Sequence, residues 1–290
     1  MKPTSGEKIF AVFNYIALTL FALAALYPFV YVLSASLSSS EAVVTGSVWL
    51  WPIDIQLQSY LKVVQYEGIW MAYANTIYYT VVGTACSLLL TVLGAYPLSK
   101  QRLLGGTFLS FMIAFTMWFN AGMIPMYLNF RDLGLLDNRA AIIIGFAVSA
   151  FYVILMRTFF QNIPNDLEES AKVDGANDFQ ILWKIYLPLS KAALTTIGLF
   201  YAVLRWNGYF WAMVLLKDED KVPLQVLLKK LIVELNLSEE MMASRDIATA
   251  ISQETVVYAT IIISIIPIVA VYPFIQRYFV KGVMIGSVKG

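Results

Sequence analysis

Seven consecutive residues, Arg205-Trp206-Asn207-Gly208-Tyr209-Phe210-Trp211, set a guanidinium, an amide and four aromatic rings inside an otherwise apolar run. Aromatic rings stack on the apolar faces of sugars, while Arg and Asn donate hydrogen bonds to hydroxyls or carboxylates. The chemistry suggested is recognition of a carbohydrate, not bond making. Arg205, Trp206, Asn207, Tyr209 and Trp211 are therefore expected along a solute path. Asn120, beside Trp118 and Phe119, is a further candidate. Each has a plainer reading. An intramembrane arginine faces the bundle interior or a water path, or it snorkels to the interface. Trp and Tyr populate membrane interfaces, and isolated amides bond neighbouring helices.

Catalysis finds little support. The chain has no histidine, so the usual proton shuttle and the commonest metal ligand are missing. Cys86, the one cysteine, lies in an apolar run, which excludes disulfides and thiolate metal sites within the chain. No paired Asp, Ser–Lys or His-containing catalytic constellation appears within the long apolar runs, and the chain has no Gly-x-x-x-x-Gly-Lys-Ser/Thr phosphate cradle. A net charge of +1 without a basic patch argues against nucleic acid.

A second group of residues suggests a mechanical task. Pro164-Asn165-Asp166 reads as a helix start, with acids in the first turn favoured by the helix dipole. Leu167, Ala171 and Val173 give that helix a small apolar side beside Glu168, Glu169 and Lys172. Gly175 then permits positive φ or a close backbone approach. Asn177 or Asp178 can cap a second helix bearing Phe179, Leu182 and Trp183, which Pro188 is expected to end. Two short helices joined by a glycine make a rigid knob, although helical loops are common.

The elements that must hold these residues are membrane spans. Of 290 residues 59% are hydrophobic and 13% charged, with a mean hydropathy of +0.70, well beyond a soluble domain. About 20 apolar residues cross a bilayer. Six runs qualify, roughly 9–35, 70–97, 107–127, 140–160, 190–216 and 255–280, which predicts an all-α polytopic protein with six transmembrane helices in one membrane domain. The first run is too long for a cleaved signal, despite Ser34-Ala35-Ser36, and reads as an anchor. Lys and Arg, among them Lys100, Arg102, Lys172 and Lys184, favour the side bearing both termini and the 161–190 loop, so these are expected in the cytoplasm. The opposite side holds segments 36–69 and 217–254. Leu224, Leu227, Leu228 and Leu231 recur there at helical spacing. That stretch is either an interfacial helix on the bilayer or an external surface that docks another protein.

The pattern Glu169-Ser170-Ala171-x-x-x-Gly175, followed by Ile185-x-Leu187-Pro188, resembles the signature loop of ABC importer permeases, with Ser170 where that family usually has Ala. Asn75-Thr76, the run Ala95 to Lys100, Gly122 to Pro125, Leu133 to Asp137, Met156 to Phe160 and the tail from Lys281 to Gly290 extend the resemblance over nearly the whole chain. They resemble the carbohydrate-uptake (maltose-type) class, in the branch taking complex or acidic oligosaccharides such as alginate. The resemblance implies a type I ABC importer permease fold in a bacterial inner membrane. It also implies that Glu169, Ser170, Ala171, Asp174, Gly175, Ile185, Leu187 and Pro188 engage an ATP-binding subunit. A second, homologous permease and an extracytoplasmic solute-binding protein are implied as further partners. No cofactor is expected on this chain, and ATP and Mg belong to the ATP-binding subunit dimer. One departure concerns the proline that family members often carry some residues after Trp206-Asn207. Here Trp211-Ala212-Met213 occupy that region, which leaves a kink there open. The alternative, a secondary transporter without ATP coupling, would need intramembrane carboxylates or inverted repeats, and neither is evident.

Overall fold

The computed structural model describes residues 4–119, 121–241, 254–270 and 273. Asn120, residues 242–253 of the second outer segment and, apart from Pro273, the chain beyond 270 lie outside the described residues. Among the described residues there are helices and turns and no strand, as the apolar periodicity requires. Two compact units emerge, one of residues 1–69 with 228–267, the other of 70–227 with 268–290.

In the first unit α1 (Ser5–Leu37) starts on a capping box, with the Thr4 amide donating to Glu7 at 2.6 Å and the Glu7 amide to the Thr4 hydroxyl at 3.4 Å. It is apolar on every side, and none of its most apolar stretch is buried. A helix of that kind needs lipid or another protein around it. After it come α2 (Ser40–Val44) and α3 (Gln58–Gln65). The Ser34-Ala35-Ser36 stretch, which resembles a cleavage site, is fully enclosed here. Ser34 donates to the Leu50 carbonyl at 2.7 Å, and Ser36 pairs with the Tyr60 hydroxyl at 2.7 Å. Ala35, Ala42, Val43 and Val48 form the small core, flanked by Tyr31 and Tyr258.

The second unit is organised by α4 (Glu67–Ser99), whose 33 residues extend about 50 Å at 1.5 Å per residue. The third apolar run is two helices, α5 (Gly106–Trp118) and α6 (Met123–Asp132). The fourth is also two, α7 (Arg139–Ile144) and α8 (Ala150–Gln161). Then come α9 (Asn165–Val173), α10 (Asp178–Ile181), a π turn at Leu182–Tyr186, and α11 (Leu187–Leu189). The fifth run is α12 (Lys191–Asn207) and α13 (Phe210–Leu215). A longer α14 (Leu224–Met241) and α15 (Glu254–Ala270) complete the described chain.

Among the described residues only α1 and α4 are uninterrupted and long enough to cross a bilayer. The pair α5 and α6, and the helical stretch 178–189 with α12, qualify only as bent pairs, the latter turning by 83°. α8 and α15 are shorter apolar helices. The break after α12 answers the question left by the absent proline. Gly208, at φ −73° and ψ 98°, leaves the helical region, so α12 ends there without a proline. Leu224, Leu227 and Leu228, expected to lie on the bilayer or on a docking face, are instead buried in protein.

Two cores lie within this unit. One joins the C-terminal half of α4, α8, the π turn and α12 through Tyr96, Met156, Phe160, Tyr186, Ile197 and Tyr201. Tyr201 ties three elements together, pairing with the Thr91 hydroxyl at 2.8 Å while accepting from the Ser149 amide at 3.2 Å. The other core gathers Tyr79, Phe130, Ile142, Ile143, Leu215 and Val226.

Candidate functional site

The two-helix knob forms as its residues dictate. Pro164 precedes the first turn of α9, where Asp166 and Glu168 meet the helix dipole. Gly175 has φ +81°, and a Cβ there would meet nothing within 4 Å. Backbone conformation, not crowding, therefore requires the glycine. Asn177 caps α10 through a capping box, its Oδ1 accepting from the Gln180 amide at 2.8 Å while its own amide donates to Gln180 Oε1 at 3.0 Å. Pro188 does not end the helix, contrary to expectation. It lies in the first turn of α11, and the chain stays helical to Leu189 before breaking at Ser190. The π turn just upstream loosens the ladder where Pro188 has no N–H to give.

The residues expected to engage a partner sit mostly on the outside. Glu169, Ser170, Asp174, Gly175 and Pro188 are exposed, while Ala171, Ile185 and Leu187 are half-buried against the first core. Around them Val173 is 88% exposed, and Phe179 and Trp183 are exposed apolar side chains. Of the small apolar side expected on α9, Leu167 and Val173 are exposed and Ala171 is half-buried.

The buried side chain of α9 is instead Glu168. Its carboxylate accepts from Lys100 just beyond α4, from Lys172 one turn along α9, and from the Tyr186 hydroxyl at 2.8 Å. Lys100 Nζ lies over the rings of Tyr96 and Tyr186, 4.2 and 3.7 Å from their centroids, a favourable cation–π site. Each side chain of the Lys100–Glu168 pair is only 9% exposed. Two residues on, Arg102 pairs with Asp178 at the start of α10. A cleft of about 310 Å³ opens beside this seat, lined by Lys100, Arg102, Glu168, Glu169 and Lys172 among others.

Burial raises the pKa of Glu168, but the donors Lys100, Lys172 and Tyr186 outweigh it and hold the carboxyl at about 2. At Lys100 burial prevails over the carboxylate, and the ammonium is pushed below its ordinary value. The sequence offered one signal for Glu168. It stands three residues before Ala171, hence on the same helix face, and four before Lys172, at ion-pair spacing.

Near the other end of α4 lies a different junction. Asn75 donates to the carbonyls of Asp220 and Val222 at 2.8 and 3.1 Å, and Tyr79 to that of Lys221 at 2.7 Å. Lys221 pairs with Asp137 Oδ2 at 2.8 Å, and Asp137 Oδ1 accepts from the amides of Lys217 and Asp218. These charges are 28% and 34% exposed. The Lys221 ammonium, then the two amides, hold the Asp137 carboxyl at about 2.

The expected solute-path residues straddle the α12–α13 break without converging. The terminal nitrogens of Arg205 are taken by the carbonyls of Ile142, Ile143 (3.1 Å) and Phe146 (2.8 Å) and by the Ser87 hydroxyl (3.2 Å). The guanidinium thus caps the C-terminal end of α7, where cations are favoured. Trp211 packs on Phe146 with ring centroids 5.4 Å apart. Trp206 meets Tyr73 edge-on at 6.4 Å, and its indole N–H is buried without an acceptor among the described residues. Asn207 and Tyr209 are exposed. No group of three His, Cys, Asp or Glu able to hold a metal occurs among the described residues.

Residues 68–285 match the family described as binding-protein-dependent transport system inner membrane component. The chain is 42% identical over 284 residues to the polygalacturonan/rhamnogalacturonan transport system permease protein of Bacillus subtilis, covering 98% of this chain and 99% of that one. It is 26% identical to the lactose transport system permease protein of Rhizobium radiobacter over the full length of both. It is also similar, at 55% identity and a TM-score of 0.89, to a chain in the crystal structure of a bacterial ABC transporter involved in the import of the acidic polysaccharide alginate. That match covers 96% of this chain and 99% of the other.

Proposed function

This chain belongs to the family of binding-protein-dependent transport system inner membrane components, and from that premise we propose that it lines half of the path of an ATP-driven importer for acidic oligosaccharides. It is a transport permease, not an enzyme. A second, homologous permease completes the path. ATP and Mg are bound by a separate dimer of ATP-binding subunits, and an extracytoplasmic binding protein delivers the solute. The six apolar runs cross the bacterial inner membrane, with both termini and the 165–189 segment in the cytoplasm.

The observation carrying this reading is the α9–α10 knob. It presents Val173, Phe179 and Trp183 to solvent while buried charges fix its inner side. Exposed apolar side chains on a rigid protrusion fit a partner's groove. Glu169, Ser170, Ala171, Asp174 and Gly175 meet the ATP-binding subunit, while Ile185, Leu187 and Pro188 join the knob to α12. Nucleotide-driven closure of two such subunits then displaces the helices behind the knobs.

Polygalacturonan and alginate both bear carboxylates, which favours an acidic solute for this chain. Trp206, Asn207 and Tyr209 offer stacking and hydrogen bonding at the break after α12. Arg205, whose terminal nitrogens are occupied, braces α7 and leaves charge recognition to other groups. The complex purified with its ATP-binding subunits and binding protein is tested with uronate and neutral oligosaccharides of equal length. Stimulation of ATP hydrolysis by the uronates alone is expected. Equal stimulation by both removes the acidic class, and failure to co-purify an ATP-binding subunit removes the importer reading. Gly175→Leu, which forces a side chain into positive φ, is expected to abolish solute-stimulated hydrolysis.

A further inference from the structure

Among the described residues α9 has one buried side chain, and it is a carboxylate. Half-buried Ala171 adds little apolar area, Leu167 is 43% exposed and Val173 88% exposed. The buried contact that holds α9 to the body of the second unit is therefore directional and charged. The struts come from one short stretch, since Lys100 reaches Glu168 on α9 and Arg102 reaches Asp178 on α10. That stretch follows α4 directly, and in the last turn of α4 the carbonyl of Leu98 accepts from Arg157 Nε of α8 at 3.0 Å.

We propose that Glu168 is a positioning residue whose buried pair with Lys100 locks the α9–α10 knob to α4, so that the two move as one body when the partner subunit pushes the knob. An apolar seat can slide, because dispersion contacts have no preferred direction. A carboxylate held by Lys100, Lys172 and Tyr186 cannot slide without leaving charge buried and unpaired, and that penalty keeps the geometry fixed. The rings of Tyr96 and Tyr186, edge to face with each other, both contact the Lys100 ammonium and reinforce the lock. Charges elsewhere around the seat, Glu169 in the cleft and half-exposed Lys172, remain near water and can adjust. The inference rests on the knob being the site of partner engagement.

The test uses the assembled complex in lipid nanodiscs, with Cys86→Ser and spin labels at Asp166→Cys on α9 and Leu89→Cys on α4. With Glu168 intact, the distance between labels is expected to be narrow and the same with and without ATP and Mg. A nucleotide-dependent change in that distance overturns the proposal, whether or not any variant folds. In Glu168→Gln the distribution is expected to broaden and to shift with nucleotide, and solute moved per ATP hydrolysed to fall about tenfold, a common size for a broken coupling contact. Lys100→Arg with Glu168 intact, which keeps a cation opposite the carboxylate, is expected to retain the narrow distance. A Glu168→Gln complex as narrow and as well coupled as the parent overturns the proposal. Loss of the ATP-binding subunit from the parent complex defeats instead the reading on which it rests.

Discussion

Two junctions secure connecting segments to opposite ends of α4, Asn75 and Ser99 being roughly 36 Å apart along the helix, and they use charge in opposite ways. At the knob, Lys100 and Glu168 are nearly sealed from water. Near the helix start, Lys221 and Asp137 are about a third exposed and share their bonds with backbone groups. An exposed pair is screened and replaceable by water. A buried pair contributes little net stability over an apolar substitute, yet it punishes any change that removes one partner. The first kind of junction tolerates adjustment, and the second enforces one geometry. That difference suits the force-delivering role proposed for the knob at one end and a loop that need only stay attached at the other.

The contrast is broken most directly at Lys100. Lys100→Met is expected to destabilise the purified protein by up to about 3 kcal/mol, since it takes the buried cation from Glu168 and leaves the carboxylate to Lys172 and Tyr186. Lys100→Met with Glu168→Gln should recover most of that loss, and thermal unfolding in detergent measures both. A single variant as stable as the parent would mean that the seat is wetter than its burial indicates. The same seat sets an acid limit. The Glu168 pKa is depressed when folded, so its contribution is complete above the ordinary value of 4.5 and is lost as pH falls toward about 2. Thermal stability is therefore expected to stay level from pH 7 to 5 and to drop below 4.5, with a smaller drop in Glu168→Gln.

Arg205 is the intermediate case, one charge enclosed by neutral carbonyls. Arg205→Gln is expected to cost about 1–3 kcal/mol through unsatisfied carbonyls and to reduce uptake of acidic and neutral sugars alike. Selective loss of acidic uptake would return Arg205 to the solute path. The smallest effect is expected at the exposed junction. A double-mutant cycle on Asp137→Ala and Lys221→Ala should give about 0.2–1 kcal/mol, shrinking as salt is raised. A value approaching that of the Lys100 site would erase the distinction between the two ends.

Much of this was legible in the chain. The apolar runs mark where helices form, and Gly175 with Asn177 marks the turn and cap of the knob, because these depend on local backbone chemistry. The motif spacing points to the same family that residues 68–285 match. Less legible were the breaks within the apolar runs at Gly122, Gly145 and Gly208. A single glycine leaves a helix optional, and only its neighbours decide. Pro188 misled for the related reason that a π turn upstream removed the bond it would have broken.

By itself, then, the sequence determined which segments prefer a bilayer, where the polar knob interrupts them and which residues turn its corner. Hydropathy and φ/ψ preference act over a few residues and need no distant partner. Tertiary structure alone decided that Glu168 faces inward while Val173 faces out, and that Arg205 serves α7. The worth of a charge depends on what lies within a few ångströms of it, and here those neighbours come from residues 68 and about 60 positions away in the chain.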